Sequence, residues 1–165
     1  MSPITAFQKE FEKEALTTRK MLSIVPNDKY SWKPHEKSMT VMALTTHLAD
    51  IFSWFNLVLN TSELDFATSP YQPENINSTE QLMGFFEKKL VEGRTALAEG
   101  KDEQLTDMWT LRNGDTILSN EQKYDVIRMC FGQIIHHRAQ LGVFLRLLNV
   151  PIPGSYGPSA DDMNF

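Results

Sequence analysis

Between Ser119 and Leu148 the chain places Val126, Cys130, Gln133, His137, Gln140, Phe144 and Leu148 on or near one side of a helix turning roughly 100° per residue. A helix of about 30 residues with an apolar stripe must bury that stripe against other elements, and this constrains the fold more than any other feature. Three further stretches show the same period. The first runs from about Pro3 to Val25 and carries Ile4, Phe7, Phe11, Ala15, Thr18 and Leu22, with Ser2 as N-cap, Pro3 in the first turn and Pro26 as its stop. The second runs from about Thr40 to Leu59, with Leu44, Ile51, Phe55 and Val58 on one face, and closes at Asn60, Thr61 and Ser62. The third, about Thr79 to Glu99, opens with a capping box of Ser78 and Gln81 and stops at Gly100, suited to a left-handed turn. Ser119 to Gln122 reads as a second capping box, opening the fourth helix.

The expected class is therefore all-α, a four-helix bundle, in one domain spanning residues 1–165. The connections are longer than the usual about 2 to 8 residues between bundle helices. One of them, "MWTLRNGDTILS", predicts a small β-hairpin with Asn113 and Gly114 as a type I′ turn before the last helix. After Leu148, "NVPIPGSYGPSADD" cannot continue a helix and is expected to lie over a surface or the mouth of a pocket.

A net charge of -5 and the lack of a Lys/Arg run argue against nucleic acid as a partner. The amino terminus lacks the basic and apolar regions of a signal peptide, and no stretch looks apolar enough to span a bilayer, so the expectation is a cytoplasmic protein with no membrane partner. Cys130 is the one cysteine, which excludes an internal disulfide.

Chemistry is carried by polar residues set into packing faces. Gln133 and His137 share one side of the fourth helix, and His47 takes a place among Ala43, Leu44, Ile51, Trp54, Phe55 and Val58 where a leucine is expected. Packing the inner faces of the second and fourth helices together would bring His47 near Gln133 and His137, and bundle cores commonly house metal sites of this kind. The alternative is a set of hydrogen-bonded structural side chains. His136 points about 100° away from His137 and belongs at the edge of the stripe. Cys130 lies one turn before Gln133, as a conceivable thiolate or an inert buried thiol. Trp32, Trp54 and Phe144 read as core or pocket wall, His35 as a solvated loop residue, and Arg138 as a surface ion-pair partner.

With these residues in hand, the chain resembles the DinB superfamily, including its YfiT-like metalloenzymes. "KEFEKEALTTRKML", "YSWKPHEKSM", "LTTHLADI", "ELDFA", "WTLRNGD" and "HHRAQLGVFLRLLNVPIPGSYGPSADD" carry the resemblance in order and spacing over nearly the full length. It implies up-down-down-up topology, with the connection at about residues 60 to 77 crossing the bundle. It also implies a divalent metal (Zn, Ni, Fe or Mn) held by one histidine from the second helix and two in an HxxxH pair from the fourth. His47 matches the first and His137 the last, but the remaining position falls on Gln133. An amide oxygen is a neutral, harder donor than imidazole, so Gln133 either ligates weakly, binds a metal-bound water, or marks a relative that has lost its metal.

The resemblance further implies a metal-dependent transferase or isomerase using a low-molecular-weight thiol, with His136 or Gln140 orienting a ligand, Trp54 and Cys130 near the pocket, and a homodimer. A stress-related, non-catalytic binding module is the alternative, and a purely structural bundle the third reading.

Overall fold

The computed structural model describes residues 1–70, 72 and 74–163. Its helices are α1 (Pro3–Leu22), α2 (Val41–Asn60), α3 (Thr79–Glu99) and α4 (Lys123–Leu147). Three are capped by local chemistry: Ser2 Oγ accepts from the Thr5 amide, Thr40 Oγ1 from the Ala43 amide and Ser78 Oγ from the Gln81 amide. The expected reciprocal bond at Ser78 is displaced by one residue, since Gln81 Oε1 accepts from the Asn77 amide.

Side-chain pairings fix the helix directions. Asp50 meets Lys89, and Gly93 comes so near Phe52 that an added Cβ would overlap the Phe52 carbonyl oxygen; α2 and α3 therefore run parallel and in close contact. Arg19 pairs with Glu87 and Arg94 with Glu12, so α1 and α3 are antiparallel. Arg128 pairs with Glu10 and Arg138 with Glu14, so α1 and α4 are parallel. The centre is a chain of edge-on aromatic contacts: Phe11 meets Phe52 and Phe55, Phe52 meets Phe86, and Phe55 meets Phe131.

The all-α expectation is overturned. Strands β1 (Glu63–Asp65), β2 (Met108–Asn113) and β3 (Thr116–Gln122) form a three-stranded mixed sheet, with β1 parallel and β3 antiparallel to β2. The sheet belongs to the core. Trp109 is buried in it and donates to Thr61 Oγ1 at 3.1 Å, while Leu64 and Leu111 pack against the core cluster. Asp65 Oδ1 accepts from the Gly114 and Ala67 amides, both at 2.9 Å, which ties the connection after α2 to the β2–β3 turn. Two positions of the connection expected to cross the bundle, 71 and 73, and the last two of the expected domain, 164 and 165, lie outside the described residues.

Three local expectations change with the sheet. Ser119–Gln122 belongs to β3 rather than to a capping box, and α4 starts at Lys123, whose buried ammonium donates to the Leu59 carbonyl at 3.0 Å. Asn113 pairs with Thr116, so Gly114 and Asp115 make the turn, and Gly114 alone of the two has a positive φ, +59°. Gly100 has φ -64°; a Cβ there would lie 3.1 Å from the Ala96 carbonyl oxygen and 3.3 Å from methyl groups of Ile4 and Leu59, so close packing, not a left-handed turn, is what it accommodates.

By length and composition α2 could cross a membrane, contrary to the sequence reading, but 56% of its most apolar window is buried inside the protein. The segment after α4 turns at Asn149, with φ 58°, and folds back as a strap over α1 and α4. Arg138, expected at the surface, is 2% exposed beneath it.

Candidate functional site

The antiparallel packing of α2 against α4 brings His47 and His137 together, with ring centroids 4.7 Å apart and planes at 82°. Both rings are half-buried, and α2 supplies the wall: Trp54 lies edge-on to His47 at 5.4 Å. Burial is the main cause that lowers the pKa of each histidine. His137 lowers His47 further, with Asp50 opposing, whereas Gln140 raises and His136 lowers His137. The pair is therefore biased toward neutral imidazole, the form that offers a lone pair to a metal or a proton.

Gln140 orients the second ring. Its Oε1 lies 3.1 Å from His137 Nδ1; with the amide oxygen accepting, Nδ1 carries the hydrogen and Nε2 keeps its lone pair. His136 is exposed, with its ring 4.9 Å from that of His137, at the edge of the site. Gln133 lies one turn before His137, half-buried, as its spacing requires. Cys130 departs from the pocket expectation: it is fully buried among core residues, and burial pushes its thiol up to about 12, so it offers no thiolate.

Two residues near the pair escaped the sequence reading. Asp50, one turn after His47, accepts from Trp54 Nε1 at 3.2 Å and pairs with Lys89 of α3 at 3.0 Å. It thus fixes the Trp54 indole and places a carboxylate beside His47. The His47–Asp50 spacing is a usable sequence signal, but Lys89 joins only through the parallel packing of α2 and α3.

Among the described residues no group of three His, Cys, Asp or Glu side chains is arranged to hold a metal. With Gln133, one turn before His137, as the third group, a donor set here would be two imidazoles and an amide oxygen. Two neutral imidazoles and an amide oxygen fit a divalent transition metal chemically, with lower affinity than three imidazoles provide.

A family model described as the DinB family matches residues 1–164. Among solved structures, a DinB-like protein from Bacillus subtilis is 20% identical, with a TM-score of 0.71 over 91% of this chain and 96% of that one. A DinB-like protein from Bacillus cereus is 19% identical, with a TM-score of 0.67 over 91% and 95%. A mycothiol-dependent maleylpyruvate isomerase is 13% identical, with a TM-score of 0.61 over 84% of this chain but 60% of that one. At such identities these likenesses establish the fold alone. No curated protein matches the chain.

Proposed function

Because the chain belongs to the DinB family, we propose that it is a divalent-metal-dependent enzyme of the DinB type, acting on a small molecule with a low-molecular-weight thiol as co-reactant. The observation that carries the reading is the meeting of His47 and His137 across α2 and α4, both rings biased toward the neutral form. His47, Gln133 and His137 would hold the metal. When bound, a divalent ion of this kind lowers the pKa of a coordinated thiol or water and supplies a nucleophile near neutral pH.

The remaining contributions come from the chain itself. Gln140 fixes the His137 tautomer, Trp54 walls the pair, and the Asp50–Lys89 pair holds a carboxylate and an ammonium at its border. The likeness to the mycothiol-dependent maleylpyruvate isomerase supports transfer or isomerisation as the reaction class. The proposal includes a homodimer and a soluble small-molecule substrate.

Elemental analysis of protein purified without chelator tests it, run beside His137→Ala and Gln133→His. Metal in the native protein, its loss in His137→Ala at unchanged helix content, and tighter binding in Gln133→His are the expected results. Full metal content in His137→Ala would overturn the ligand assignment. One observation favours a second reading, a non-catalytic binding module that kept the pocket and lost the ion: no third His, Cys, Asp or Glu joins the pair among the described residues. Metal in Gln133→His alone would select it.

A further inference from the structure

A second cleft lies on the flank of α4 about 100° round from His137. It has a volume of about 660 Å³, within the range of small-molecule sites, and lies between α1, α4 and the C-terminal strap. Met21, Ile135, Val143, Leu147 and Ile152 make its walls apolar. Two arginines line it, Arg138 and Arg146, paired with Glu14 and Asp161, whose carboxylates lie outside the lining.

Arg138 is the unusual member. Its side chain is 3% exposed, yet only part of its hydrogen-bonding capacity is used. Nη1 donates to Glu14 Oε2 at 2.5 Å, to Thr18 Oγ1 at 3.2 Å and to the Glu14 carbonyl at 3.4 Å, and Nη2 donates to Tyr156 Oη at 2.8 Å, with the Tyr156 ring 5.2 Å from Cζ. Tyr156 in turn donates to Glu14 at 2.9 Å, so Glu14 and Tyr156 together occupy the outer edge of the guanidinium. A guanidinium has five N–H donors. Nε–H meets no acceptor among the described residues, and Nη2, beside it, meets only Tyr156. Arg138 nevertheless lines the cleft.

The strap is shaped to complete this site. Gly154 turns where a Cβ would lie 2.6 Å from the Gly157 carbonyl oxygen, and Ser155 and Gly157 close the turn through a 3.0 Å backbone bond. The turn presents Tyr156 to Arg138 and Glu14. Apolar residues at positions 14 and 138 together would hold a strap down at least as well, since a buried ion pair is an expensive fastening.

We propose that this cleft binds an amphipathic monocarboxylate, an aliphatic or aryl acid, with the carboxylate on the Nε/Nη2 edge of Arg138 and the apolar body along Val143, Leu147 and Ile152. Side-on pairing of a guanidinium with a carboxylate provides two parallel charged hydrogen bonds and explains a half-used arginine at the base of an apolar cleft. The site is independent of the histidine pair, and binding here requires no metal.

Calorimetric titration of the intact protein with decanoate and with 2-naphthoate tests the proposal, with decan-1-ol as the uncharged control. Gly142→Leu fills the cleft and leaves every residue of the Arg138 network in place. A Cβ at Gly142 meets only the Met21 Cε, at 3.8 Å, and leucine favours a helix more than glycine does. The expected result is saturable binding of at least one acid, about tenfold or more tighter than decan-1-ol, and its loss in Gly142→Leu at unchanged helix content. Arg138→Gln, checked for folding by circular dichroism, should abolish the preference for the acid. Failure of both acids to bind, equal affinity for the alcohol, or undiminished binding by Gly142→Leu would overturn the proposal.

Discussion

Replacing Arg138 by methionine should destabilise the protein far more than any other loss of an ion pair. The pair with Glu14 is buried, with side chains 3% and 6% exposed, and the Glu14 carboxylate would retain only Tyr156 as a hydrogen-bond donor of those that now hold it. Removing one partner of a buried pair costs about 3–5 kcal/mol, because the other charge stays buried without compensation. For a chain of this size that corresponds to a fall in Tm of roughly 6–20 °C, at about 2–4 °C per kcal/mol. Arg94→Met is the matched control, since the Arg94–Glu12 pair is 45% and 53% exposed and an exposed pair contributes about 0–1 kcal/mol. Adding Glu14→Leu to Arg138→Met should recover most of the loss, since the uncompensated charge is then gone. Urea denaturation of the four proteins followed by circular dichroism decides it. A cost below about 1 kcal/mol for Arg138→Met, or no recovery in the double variant, would refute the assignment of the cost to a stranded charge.

Other outcomes follow from single sites. Thr46→Val should stabilise by about 1 kcal/mol in the same denaturation assay, because it removes a buried hydroxyl that has no partner among the described residues and keeps its shape; a loss of stability would show that the hydroxyl is satisfied. Native Cys130 should resist iodoacetamide at mildly alkaline pH and react only on unfolding, as a buried thiol raised to about 12 must; rapid alkylation read by mass spectrometry would contradict its burial. Burial lowers the folded-state pKa of His47 and His137 below the ordinary 6.5, so the unfolded chain takes up protons first as pH falls. Their contribution is complete above that value and declines as pH drops through the folded-state values. Chelator-treated protein should therefore lose Tm as pH falls below about 6.5 more steeply than His47→Leu/His137→Leu, and parallel curves would sink the account.

The sequence by itself determined the local elements and which way each faces. The four helical periods, the caps at Ser2, Thr40 and Ser78, and the inward placement of His47 and His137 depend on residues within a few turns of one another. The strap was legible for the same reason, since its prolines and glycines forbid a helix. Tertiary structure alone decided that the predicted hairpin becomes a three-stranded sheet, because β1 is only three residues long and exists as a strand through pairing with β2, about 47 positions away in the Glu63–Thr110 register. The β2–β3 pairing claimed Ser119–Gln122, whose capping pattern was equally compatible with a helix start.

The site divides in the same way. Periodicity could show that His47 and His137 lie on inner faces, but not that Asp50 and Lys89 border them, because that contact requires α2 and α3 to run parallel. Cys130 lies near the same helical side as His137, yet packing seals it in the core while leaving the histidines half-buried. Arg138 was misplaced for the complementary reason. Its burial is created by Glu14, 124 positions away, and by a strap that local sequence could not dock. A helical period records the direction of a side chain; only the elements packed against it decide whether that direction holds water, a partner or a cleft.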